Sequence, residues 1–326
     1  MWPQRSTTPH VSAFPHRNEP PRRATVQLQI SFRLVPMISG LQPAGEAVVP
    51  AVTEEENALW LSARGLRVVE THGRYWRVDQ GRWQPTHFFA HLPAADIRRP
   101  GRACWAYRAA VLAGEESEAN GAIPMHVVQD LEAYSLEGLR SSKRRQIRAS
   151  MRRLQFVAIK EPDLLAQQGL RVLESAVERH GYGSIRSKSR YQKELEAYFQ
   201  RDGGLVIGAL DGDRLVGYVT VHASGATAYV EDVHLASDAL ETQVGPGLTF
   251  HAAMAAQRSP QISELVHSLV TPERPGLLRF KEQMGFPIVE VPARYWIAPG
   301  LEQLLRRLRP NAYYRFTGKR IPVEVS

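Results

Sequence analysis

Two adjacent carboxylates, Glu231 and Asp232, stand in the run TAYVEDVHLA, fourteen positions ahead of a glycine pair, Gly245 and Gly247. Alternation along the run predicts a β-strand. It would send Ala228, Val230, Asp232 and His234 to one face and Tyr229, Glu231, Val233 and Leu235 to the other. A strand carboxylate buried near Tyr229 and Val233 would have its pKa raised toward neutrality, as a general base requires. The same carboxylate could instead be the partner of a nearby arginine. The segment VGPGL leads into the alanine-rich AAMAAQ. The glycines are therefore expected in a loop at a helix N-terminus, where unpaired amides and the helix dipole favour an anion such as phosphate.

The elements that must position these groups follow from pattern. TEEENALWLSARG places Thr53 and Glu56 at capping-box spacing, with Gly65 as a stop, and predicts a short helix. LRVVETHGRYWRVDQGRWQPTHFFAHL reads as strands broken at HG and DQG, followed by strand candidates in ACWAYRAAVL and MHVVQDL. Residues 37–138 thus form an α+β region whose tryptophans and tyrosines are expected in core and hairpin packing. LEGLRSSKRRQIRASMRRL is expected to be one amphipathic helix, with Arg140, Arg144, Arg148 and Arg152 at steps of four. Its stripe is either a solvated face or an anion contact. From Gln155 the pattern gives a strand, two helices with Gly181 closing the first, and three strands with turns at DGD and SGA. Then come the glycine segment with its helix, a strand in ELVHSLV, the helix PGLLRFKEQMG, and a strand pair in FPIVEV and ARYWIA. Residues 299–326 complete the chain as a basic amphipathic helix and tail.

Composition bounds the function. The 326 residues are 43% hydrophobic and 23% charged, as expected of a globular protein with a sizeable core. No apolar run is long enough to span a membrane and the N-terminus lacks the apolar centre of a secretory signal, so a cytoplasmic location is expected. Residues 1–36 read as a disordered basic tail; a transit peptide, or a translation start at Met37, are the other readings. The single cysteine excludes an intramolecular disulfide, and no metal-ligand spacing appears, so no metal is expected. The net charge of +8 is concentrated in residues 1–36 (+4), 140–153 (+7) and 301–320 (+5), which leaves the remainder at −8. This distribution argues against a surface built for general nucleic-acid binding.

The order of elements over residues 155–298, with its motifs, resembles the GNAT acyltransferase fold, a mixed-sheet α/β (α+β) architecture. In that family the strand matching TAYVEDVHLA splays from its neighbour to admit the pantetheine arm of an acyl-CoA. The resemblance implies acyl-CoA, such as acetyl-CoA, as co-substrate, with Val233, Leu235 and Ala236 along the arm and Val244, Gly245, Gly247 and Leu248 at its pyrophosphate. Thr242 stands where the family usually has Gln or Arg, and Pro246 lacks an amide hydrogen. Glu231 matches the general base of some members, Asp232 is the runner-up, and Tyr182 lies where acceptors dock. RFKEQMGFP matches a late helix whose usual Tyr, the acid for the leaving thiolate, is here Lys281.

LRSSKRRQIRASMRRLQFVAI, with the later LLRFKEQMGF, is similar to the FemAB-like branch of this superfamily. Its members often combine two GNAT-like modules, and some transfer amino acids from charged tRNA. That resemblance implies a shortened first module over residues 37–138 and an acyltransferase module over 139–298, with Arg144 and Arg148 contacting an anionic substrate. The expectation is an N-acyltransferase that moves an acyl group from a thioester to an amine-bearing small molecule or peptide by direct attack. The alternatives are a tRNA-dependent aminoacyltransferase and a catalytically silent binding module of the same fold.

Overall fold

The computed structural model describes residues 40–181, 187–200 and 203–321, all within one compact unit, Val35–Ser326. Tyr182 and the N-terminal tail lie outside the described residues.

In chain order the strands are β1 (Leu41–Pro43), β2 (Val68–Thr71), β3 (Arg74–Asp79), β4 (Arg82–Pro85), β5 (His91–Leu92), β6 (Ala106–Val111), β7 (Gly121–Val128), β8 (Gln155–Ile159), β9 (Gly204–Asp211), β10 (Arg214–Ser224), β11 (Thr227–Leu235), β12 (Glu264–Leu269) and β13 (Ile288–Ile297). The helices are α1 (Glu54–Ala63), α2 (Ser141–Arg153), α3 (Leu170–His180), α4 (Lys188–Phe199), α5 (Val244–Gln257), α6 (Pro275–Gln283), α7 (Pro299–Leu308) and α8 (Pro310–Thr317).

All strands join one mixed sheet in the order β1-β8-β9-β10-β11-β12-β7-β13-β6-β4-β3-β2, with β5 beside β6. Sequence neighbours pair as hairpins in β9 to β11 and β2 to β4, and β8 joins β9 antiparallel across α3 and α4, but the two series are stitched together by strands that leave their own neighbourhood. β7 lies between β12 and β13, and β1 pairs with β8. The largest core cluster lies between α5, α2 and the face of β8 to β11 that they cover, with Phe156, Ile207, Val219, Leu248 and Phe286 buried in it. α5 is buried on almost every side, which is why its sequence is apolar all round rather than striped.

The capping box of α1 forms as its sequence predicts: Glu56 N donates to Thr53 Oγ1 at 3.2 Å and Thr53 N donates to Glu56 Oε2 at 2.8 Å. Gly181 closes α3 in the left-handed conformation at φ 65°. Three expectations are corrected. FPIVEV and ARYWIA form one strand, β13, whose first part pairs with β7 and whose second part pairs with β6, so no turn is needed at Pro292. α2 starts only at Ser141, and its buried residues are Lys143, Ile147 and Ser150. The glycine pair is not a loop before α5 but its first turn, because Gly247 N already donates to Gln243 O and a proline is tolerated there.

Candidate active site

β11 changes partner halfway along. Thr227, Ala228 and Tyr229 pair in parallel with Glu264, Leu265 and Val266 of β12, and the pairing stops there. Thr227 Oγ1 donates to Glu264 Oε1 at 2.5 Å at the closed end. Two bulges drive the strands apart. On β11, Asp232 faces Thr220 while Val230 faces Val221, so Glu231 is an extra residue without a partner on β10. On β12 the register against β7 shifts between Val266 and Leu269, and Ser268 there takes φ 70°. A left-handed serine in a strand is a strained conformation, retained where its surroundings fix it. The β11 bulge corrects the simple alternation expected of TAYVEDVHLA: from Glu231 on, two cavities flank the strand.

The larger, of about 1030 Å³, fills the wedge between β11 and β12 and is closed by α3, α5 and α6. Val233, Leu235, Gly245, Phe280 and Leu277 give it apolar walls; Arg179, Arg274 and Lys281 bring cations. Lys281 sits on α6 with only 3% of its surface exposed, and its Nζ donates to Ser268 Oγ at 2.6 Å. Burial pushes its pKa down to about 8. His267 beside it is buried, its ring nitrogens without hydrogen-bond partners among the described residues, and burial together with Lys281 holds its pKa well below the ordinary value. A neutral imidazole therefore lies next to a lysine poised to titrate.

The smaller cavity, of about 370 Å³, shares Glu231, Asp232 and His234 with the larger and is otherwise lined by Arg64, Arg77, Arg190, Tyr198, Tyr218 and Thr220 among others. Arg64, the residue that ends α1, forks onto Glu231: Nη2 donates to Oε1 at 2.7 Å and Nη1 to Oε2 at 3.0 Å. Its guanidinium stands 4.3 Å from the Trp60 ring centroid and 5.1 Å from that of Tyr198. His222 Nδ1 lies 3.9 Å from Glu231 Oε2, and its ring stacks on Tyr229 with centroids 5.3 Å apart. Burial brings the His222 pKa down to about 4 despite Glu231 beside it.

These neighbours reverse the expectation for Glu231. Burial raises its carboxyl pKa, but His222, the Arg64 fork and Arg77 outweigh that and hold it below the ordinary carboxylate value. At neutral pH Glu231 is an ionised group in a bidentate pair rather than a half-protonated one.

Other sequence-derived residues fall on both sides of the question. Val233, Leu235 and Gly245 line the large cavity, as do Glu231, Asp232 and Lys281. Ala236, Val244, Gly247 and Leu248 do not line it. A Cβ at Gly247 would run into the Phe156 ring and stand 2.6 Å from Ser150 Oγ, so this glycine lets α5 approach α2 and β8. The Leu235 carbonyl is occupied by Arg179 Nη1 at 2.8 Å. Arg144 donates to the Glu137 and Leu139 carbonyls, Arg148 lies 3.7 Å from Glu137, and neither lines a cavity. Arg64, Arg77, His222 and Ser268 come from sequence positions without a motif; only tertiary pairing reveals them. Among the described residues no group of three His, Cys, Asp or Glu is placed to hold a metal, and no helix is long and apolar enough to cross a membrane.

A mixed sheet with a wedge opened by a bulged central strand is the GNAT-like architecture of the FemAB type. Solved structures share it over most of the chain. The C-terminal DUF2156 domain of a protein described as a lysylphosphatidylglycerol synthetase, from Agrobacterium fabrum, superposes with TM-score 0.55 at 12% identity, covering 82% of this chain and 98% of that one. FemX superposes with TM-score 0.55 at 9% identity over 78% of this chain and 99% of its own. A conserved protein of unknown function from Bacteroides thetaiotaomicron gives TM-score 0.50 at 11% identity, covering 74% and 89%. No protein-family model and no curated protein matches the sequence.

Proposed function

We propose that the protein is an N-acyltransferase that takes an acyl group from a thioester such as acetyl-CoA and delivers it to an amine by direct attack. The observation that carries this reading is the wedge: β11 leaves β12 after Tyr229 and opens a cavity of about 1030 Å³ with Lys281 buried in its wall. Residues 139–298 supply the wedge, and residues 37–138 supply Arg64.

The donor lies in the wedge with its acyl arm along Val233. Arg179 and Arg274 give its phosphates cationic partners, and the amide of Gly245, which lines the cavity, precedes the first intrahelical bond of α5. The acceptor amine approaches from the smaller cavity, where ionised Glu231 binds its ammonium form and takes its proton directly or through water, with Asp232 alongside. The free amine attacks the thioester carbonyl, and a β11 amide left unpaired by the divergence of β12 stabilises the oxyanion. As the C–S bond breaks, the Lys281 ammonium, with a pKa of about 8, gives its proton to the thiolate, and the attacking nitrogen releases its remaining extra proton to water to leave the neutral amide. Calorimetric titration with coenzyme A and acetyl-CoA tests the donor: micromolar binding that weakens in Leu235→Trp, which fills the wedge, is expected, and no binding removes this donor.

One observation favours a second reading. The solved structures with the same architecture include FemX and a domain described as part of a lysylphosphatidylglycerol synthetase, and the likeness runs through both halves of this chain. It supports an aminoacyl ester of tRNA as donor to the same amine site. Salt-sensitive binding of charged tRNA, without binding of acetyl-CoA, is the outcome that selects it.

A further inference from the structure

The two cavities meet at Glu231, Asp232 and His234, and the smaller one carries charges that attack on a thioester does not use. Three guanidiniums line it. Arg64 is engaged by Glu231, and Arg190 donates through Nε to Glu194 at 3.0 Å. Arg77 has no ion pair or side-chain hydrogen bond among the described residues. Its position follows from strand alternation: Trp76 and Val78 of β3 are buried in the core of the N-terminal region, so Arg77 between them is turned to the other face, into the cavity. There it is partly shielded from water, and its charge reaches both Glu231 and His222, whose pKa values it lowers. A partly buried guanidinium with no carboxylate in hydrogen-bond contact is costly unless a ligand completes it.

We infer that the acceptor carries an acidic group close to its amine, and that Arg77 holds that group while Glu231 holds the ammonium. A guanidinium presents a planar fork that matches a carboxylate or a phosphate, and the carboxylates of Glu231 and Asp232 match an amine in the same cavity. About 370 Å³ is at the small end of ligand cavities, which run from roughly 300 to 1,000 Å³. The recognised part is therefore the size of an amino acid or a phosphoamine head, whether free or at the end of a larger molecule. Tyr198 and Tyr218 bound it sideways. The inference rests on the assignment of the smaller cavity to the acceptor.

The test pairs amines with and without an acidic group: glycine against glycine methyl ester, and phosphoethanolamine against ethanolamine, titrated calorimetrically into the full chain without donor. The expected result is that at least one acidic member binds tenfold or more tighter than its neutral counterpart. That preference is lost in Arg77→Gln and partly kept in Arg77→Lys, with the melting temperature of each variant measured to show that it is folded. Which acidic member binds tells carboxylate from phosphate. Equal binding within both pairs, a preference that survives Arg77→Gln, or no binding of any of the four overturns the inference. Thiol release from acetyl-CoA, measured separately, reports on transfer itself. An anion preference without thiol release counts against the transferase reading alone, and thiol release without an anion preference counts against Arg77 alone.

Discussion

The two cavities beside β11 share three residues and differ in almost everything else. The larger is walled by aliphatic and aromatic side chains and holds a buried lysine whose charge is compromised by desolvation. The smaller is ringed with guanidiniums, phenols and carboxylates, and His222, Arg64 and Arg77 hold the Glu231 pKa below the ordinary value. One environment weakens a charge and the other reinforces it, across the thickness of one strand. A low-dielectric pocket makes a lysine a proton donor near neutral pH, whereas ion pairing keeps a carboxylate ionised. In the proposed reaction the contrast divides the labour: an arm and a leaving group on one side, a charged amine on the other.

The strongest attempt to break this contrast is Glu231→Gln. It should lower turnover roughly a hundredfold or more while the fold is retained; steady-state rates that match the parent would remove the smaller cavity from the chemistry. Lys281→Met should reduce kcat by about ten- to a hundredfold when the leaving group needs a proton. The parent kcat should fall as pH rises through about 8, where Lys281 loses its proton, and a pH–rate profile of the variant should lack that limb. Gly247→Ala should destabilise by about 1–3 kcal/mol through overpacking against Phe156 and Ser150, read by thermal melting. Its donor affinity should not change, since Gly247 faces away from the wedge. Arg64→Met sharpens the contrast more gently. It removes one of the charges that hold Glu231 low, so the acidic limb of kcat/KM should move to higher pH. Arg148→Ala, on an exposed pair with Glu137, should alter stability by less than about 0.5 kcal/mol.

Much of the architecture was legible because it is written in local pattern. The capping box at Thr53, the Gly181 stop and the hairpins at DGD and SGA each depend on residues within a few positions of one another. What was not legible depends on partners far away in sequence. A rise in the Glu231 pKa was expected from Tyr229 and Val233, yet the shift is set by His222, Arg64 and Arg77, and Arg64 lies 167 positions away. Gly245 and Gly247 read as a phosphate loop because glycine pairs commonly are one. Only the approach of Phe156 and Ser150 shows that Gly247 answers to packing. Likewise FPIVEV and ARYWIA read as two strands, since nothing local announces that β7 and β6 take over from each other along β13. The bulge that makes Glu231 an extra residue is invisible to alternation for the same reason: it is a property of two strands in register, not of one.

The placement of β7 has a kinetic consequence. It is made early in synthesis, yet both its sheet neighbours, β12 and β13, come from the last quarter of the chain. Until those strands emerge, its backbone has neither ladder. Pairings so distant in sequence pay their loop-closure entropy before any contact repays it, which slows folding. The same delay governs the wedge, whose far wall is β12, backed by β7. Binding competence should therefore appear late in refolding and together with protection of the β7 amides, after the hairpins β9 to β11 have formed; pulsed hydrogen exchange would follow that order directly.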